Sequence, residues 1–85
     1  MTFLEQANEL IDGPRAKDYG SASENHQRIA TIWSVILGID VSPEKVAMCM
    51  VGVKLARLCN TPGHKDSWID IAGYVGVADK IQRGE

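Results

Sequence analysis

Between Val46 and Leu58 the chain is apolar on nearly every side of a helix, and Lys54 and Arg57 are the only charges in that run. A helix without a polar face is buried on most sides. In a chain of 85 residues this places it at the centre of the fold or in a contact between subunits. The two cations stand three apart and share a helix face. A core helix does not need charges, and burying one unpaired is costly. Asp66 and Asp70, four apart, share a face of the next predicted helix. Either these four groups pair with one another or they bind something charged.

The remaining patterns give three more helices, with no internal repeat. Thr2-Phe3-Leu4-Glu5 has the form of a capping box and opens a helix to about Ile11. Phe3, Leu4, Ala7, Leu10 and Ile11 fall on one face. Gly13-Pro14 stops it. After the loop 15–20, Ser21 or Ser23 caps a second helix, with Ile29, Ile32, Trp33, Ile36 and Leu37 at helical spacing and Gly38 at its end. Ser42-Pro43 opens the third helix, with serine as cap and proline in the first turn. It ends near Asn60, before Thr61-Pro62-Gly63. The fourth runs from about Asp66 to Gln82 and is interrupted by Gly73 and Gly76, small enough to admit another backbone or a ligand. The expectation is an all-α compact bundle of about four helices, one domain over residues 1–85, forming oligomers.

Composition narrows the function classes. The net charge of −2 gives no basis for general binding to duplex nucleic acid. No apolar run is long enough to span a bilayer. The first residues carry neither a basic region nor an apolar core, so no secretory leader is expected. Cys49 and Cys59 lie about 15 Å apart along one helix, beyond disulfide reach. They read as buried free thiols in a reducing, cytoplasmic setting. Trp33 and Trp68 sit on apolar stripes and read as core, Met48 and Met50 as core or interface, and His26 and His64 as surface residues.

Two groupings carry candidate chemistry. In the loop Arg15-x-Lys17-Asp18-Tyr19-Gly20, Arg15 and Lys17 are suited to phosphate and Tyr19 to stacking on a base. A solvated connector with Tyr19 plugged into the core is the plainer alternative. On the third and fourth helices, Lys54 and Arg57 can hold phosphates while Asp66 and Asp70 orient them or meet ribose hydroxyls. The plainer alternative is a salt-bridge network, with Arg57 paired to Asp66 or Asp70. A third use of the two acids is as Mg²⁺ ligands in nucleotide hydrolysis.

The order Arg15…Asp18-Tyr19-Gly20, Asn25, Trp33, Lys54-x-x-Arg57, then Asp66-Ser67-x-x-Asp70-x-x-Gly73-Tyr74 resembles a family of small phage and prophage proteins known chiefly as a domain of unknown function. The same outline is similar to phage domains associated with nucleotide metabolism, and distantly to the all-α MazG-type nucleotide pyrophosphohydrolases. Those enzymes carry a Glu-x-x-Glu pair, which is missing here, and Asp66 and Asp70 are spaced by four rather than three. In kind, though not in sequence, the chain is similar to phage proteins that sequester cyclic nucleotide signals of host defence. The residues and the resemblance together give the expectation of a cytoplasmic phage-type protein that binds a nucleotide or cyclic nucleotide, with Arg15, Lys17, Lys54 and Arg57 on phosphates, Tyr19 on the base and Asp66 and Asp70 holding the cations, without metal or other cofactor. A Mg²⁺-dependent pyrophosphohydrolase is the alternative, and a protein-interaction module inhibiting a host enzyme the second.

Overall fold

The computed structural model describes residues 1–13 and 21–85. Four helices make up the described fold: α1 (Phe3–Asp12), α2 (Ala22–Leu37), α3 (Pro43–Asn60) and α4 (Lys65–Gln82). The all-α expectation holds. The first three starts have the chemistry their residues announced, while α4 begins after His64 without a side-chain cap. The Thr2 hydroxyl accepts from the Glu5 N–H at 3.1 Å while the Glu5 carboxylate accepts from the Thr2 N–H at 2.9 Å. Those bonds hold the Glu5 carboxyl below its usual range. Ser21, rather than Ser23, caps α2, and Ser42 caps α3 with Pro43 in the first turn. Gly38 closes α2 in the left-handed region at φ 69°, where glycine carries no steric penalty.

The short turn between α2 and α3 is tied back by a side chain. The Ser34 hydroxyl donates to the Ala30 carbonyl at 2.7 Å and accepts the Val41 N–H at 2.9 Å. This satisfies a backbone donor in the turn and sets the angle at which α3 leaves α2.

The centre of the bundle is α4, which lies against α1, α2 and α3. Between Ile69 and Ile81 only Val75 and Asp79 are exposed. Of the two places expected for α3, the centre of the fold or a contact between subunits, it does not take the first. Val46, Ala47 and Leu58 of α3 are buried, but Met48, Cys49, Gly52, Val53, Leu55, Ala56 and Cys59 are exposed. In this chain α3 has neighbours on one side only, so its apolar second side faces outward. The two thiols are therefore exposed, not buried, because both fall on that outward side. Trp68 is also corrected: it is 44 % exposed, lying over the α3–α4 turn, where its indole N–H donates to the Pro62 carbonyl at 2.9 Å.

α1 closes over α4. Ala7 is buried, and Ile11 reaches Gly76 so closely that an added Cβ there would stand 2.6 Å from Ile11 Cδ1. Lys80 and Asp12 add an ion pair at 2.7 Å across the same two helices. The close contact at Gly76 is thus made within the chain, whereas nothing comes within 4 Å of a Cβ at Gly73.

Candidate functional site

Ser67, Asp70, Tyr74, Val77 and Ile81 succeed one another on α4 at spacings of three and four, which makes them one stripe along the helix. Ser67 and Val77 are buried, and Asp70 and Tyr74 between them are half-buried. The stripe is polar in its first half because each polar member has a place to go. Ser67 sits 2.7 Å from His64 Nδ1, at the start of the helix. Asp70 pairs with Lys54 of α3, Oδ2 to Nζ 3.2 Å, with side chains 32 % and 19 % exposed. Tyr74 meets His26 of α2, ring centroids 6.0 Å apart and planes tilted by 56°. Three helices therefore bring Lys54, Asp70, Tyr74 and His26 to neighbouring turns of one junction.

The expected pairing is corrected in its partner. Lys54, not Arg57, meets Asp70. Arg57 and Asp66 are both exposed, and among the described residues neither forms an ion pair. Helix phase accounts for the difference. Lys54 lies on the flank of α3 that faces α4, and three further residues rotate Arg57 toward solvent. Asp70 is one turn inside α4, level with Lys54, while Asp66 is in the first, outward-facing turn. The loop candidates Arg15, Lys17 and Tyr19 lie outside the described residues.

His26 reverses its expectation more sharply. It is 6 % exposed rather than on the surface. Its Nδ1 lies 3.0 Å from the Ala22 carbonyl, an oxygen that can only accept, so Nδ1 carries the proton. Burial outweighs that hydrogen bond and holds the histidine below its usual range, so the ring is neutral near pH 7. Nε2 is then a lone-pair acceptor, buried and without a hydrogen-bond partner among the described residues. One turn earlier, the Ser23 hydroxyl is also buried and has no hydrogen-bond partner among the described residues. The signal was present in the sequence: His26, Ala30 and Trp33 follow the spacing of the inner face of α2.

Chemically the junction offers an ammonium with donors beyond the one given to Asp70, an exposed guanidinium one turn further on, a neutral imidazole acceptor, a hydroxyl and a phenol ring. Among the described residues no three His, Cys, Asp or Glu side chains gather as a metal centre would need. No helix of the described structure is long and apolar enough to cross a membrane.

Comparison with known proteins agrees with the sequence resemblance. The chain is 48 % identical over 86 residues to the Gene 55 protein of Mycobacterium phage L5, a match covering 100 % of this chain and 55 % of that protein. It is 41 % identical over 80 residues to the Gene 55 protein of Mycobacterium phage D29, covering 94 % of this chain and 53 % of that one. The chain thus spans about half the length of these curated relatives. No solved structure gives a significant match. The family model described as "Domain of unknown function (DUF6378)" matches residues 2–82, and the chain belongs to that family.

Proposed function

We propose that the chain binds a nucleotide-like phosphate ligand at the junction of α2, α3 and α4, without turning it over. The observation that carries this reading is Lys54. It is a cation largely withdrawn from solvent, anchored by Asp70 at 3.2 Å and bonded to nothing else among the described residues. A carboxylate that fixes an ammonium while leaving its other donors open is an arrangement suited to an incoming phosphate. Arg57 supplies a second, exposed cation one turn away. The loop cations Arg15 and Lys17 and the ring of Tyr19 are proposed contacts on residue type alone. Asp66 is proposed only as an outer acid near the mouth of the site.

The hydrolase alternative asks more of the chain. A Mg²⁺ ion bridging phosphates needs several fixed oxygen ligands, and here Asp70 is already engaged by Lys54. In an infected cell a binder without turnover would act by sequestering its ligand, including a cyclic nucleotide signal of host defence, in the host cytoplasm.

The test is a thermal-shift series against linear and cyclic nucleotides, each with Mg²⁺ and with EDTA. A true ligand at a hundred times its Kd stabilises the fold by about 2.7 kcal/mol. The shift is expected to survive EDTA, to shrink with added salt, and to vanish in Lys54→Ala. Mg²⁺-dependent release of pyrophosphate or nucleoside monophosphate that is lost in Asp70→Asn would replace the binder with the hydrolase. No response to any nucleotide, with a host protein retained instead, would favour the interaction module.

A further inference from the structure

Gly52 lies in the middle of α3, where glycine is less favourable than alanine. Among the described residues nothing explains it: a Cβ built at Gly52 meets no atom within 4 Å, and the residue is exposed. Gly76 differs, because Ile11 fills the space it leaves. The missing side chain at Gly52 thus leaves room beyond the described residues.

The positions around it say what fits that room. Lys45, Met48, Gly52, Leu55 and Cys59 are all exposed and follow one another at spacings of three, four, three and four. That is the seam pattern of two helices packed knobs into holes. Met48 is 70 % and Leu55 49 % exposed. Beyond Lys45 in the first turn the seam holds no charge, and Cys49 and Ala56 flank it with further uncharged surface.

Along the seam, large and small residues alternate: Met48, Gly52, Leu55, Cys59. Reversed, the order is small, large, small, large. An antiparallel copy of the same helix therefore sets every large residue against a small one. A parallel copy sets large on large and leaves gaps between the small ones. We propose that α3 pairs with α3 of a second copy of the chain, antiparallel about a two-fold axis level with Val53 and Lys54. Leu55 packs into the hole at Gly52 of the partner subunit, and Met48 packs against Cys59 of the partner subunit. Each contact occurs twice, as an isologous interface requires. The seam with Cys49 and Ala56 on its flank is a small interface, at or below the roughly 1,000 Å² of the smallest specific ones. Lys54 reaches α4 on the other flank of the helix, so the pairing leaves the phosphate site open and does not depend on that site.

Light scattering across micromolar concentrations tests the proposal directly. The wild-type chain is expected as a dimer. Gly52→Arg is expected to weaken dimerisation at least tenfold with unchanged helical circular dichroism, because the position is open within one copy. Register is tested by Met48→Cys under mild oxidation. Disulfides to Cys59 of the partner subunit should give a covalent dimer on non-reducing gels, and the Met48→Cys, Cys59→Ser double variant should give none. A wild-type monomer at every concentration overturns the proposal. So does a dimer that Gly52→Arg leaves intact, or cross-linking that persists without Cys59.

Discussion

His26 shows how much one residue's surroundings decide. In sequence it stands in a polar stretch, beside Asn25 and Gln27, and the surface is its ordinary place. In the fold it is buried against Tyr74, neutral, with Nδ1 donating and Nε2 unmet among the described residues. A stability consequence follows from its depressed pKa. The unfolded chain binds this proton near the ordinary value of 6.5, and the folded chain binds it only at lower pH. Between those two values the unfolded state holds more protons, so stability rises with pH there. The contribution of a neutral His26 is therefore complete above pH 6.5 and is lost as pH falls toward the folded value. Comparing thermal midpoints of wild type and His26→Phe from pH 7.5 to 4.5 should show the gap moving against the wild type below about pH 6.5. A constant gap would mean that His26 titrates alike in both states. At the same scale Arg57 and Lys54 could not be told apart in sequence. Both are cations on one helix, and only the rotation of α3 against α4 decides which of them reaches Asp70.

At the scale of elements, local chemistry was legible and mutual arrangement was not. The Thr2–Glu5 box, the Ser42-Pro43 start and the Gly38 stop act within a few residues of themselves, and all three stand where expected. Which helix takes the centre depends on contacts between distant segments. Hydrophobicity alone favoured α3, because it lacks a polar face. The centre went to α4, two of whose charged residues find partners on other helices: Asp70 with Lys54, Lys80 with Asp12. Its glycines were legible as places of close approach, and the structure separates them. Gly76 receives Ile11 of α1, and Gly73 receives nothing within 4 Å. Gly76→Leu should therefore force α1 off its seat and destabilise the fold by about 1–3 kcal/mol, the usual scale of overpacking. Much of that loss should return in the Gly76→Leu, Ile11→Ala double variant, where the side-chain volume is given back. Denaturant midpoints of the two variants measure this. Equal losses in both would place the strain elsewhere.

For the molecule as a whole, the sequence carried the fold class and the family, while the outward apolar face of α3 is defined only by the fold. Among the described residues the buried apolar set is small: Ala7, Ala30, Val46, Ala47, Leu58, Ile69 and Val77, three of them alanines. More large apolar residues are exposed than buried, among them Val35, Ile36, Met48 and Leu55. A core this slight supplies few kcal/mol on its own, and the proposed pairing would add the outward apolar face of α3 to it. If folding and pairing are coupled in this way, stability depends on protein concentration by mass action. A hundredfold rise in concentration adds about 2.7 kcal/mol per dimer, or half that per chain, from RT ln 100. For a chain of this size each kcal/mol moves Tm by roughly 4–8 °C. The wild-type Tm should accordingly climb by about 5–10 °C across that range, and the Tm of Gly52→Arg should stay level. A wild-type Tm that does not move with concentration would mean that the seven buried residues hold the chain unaided.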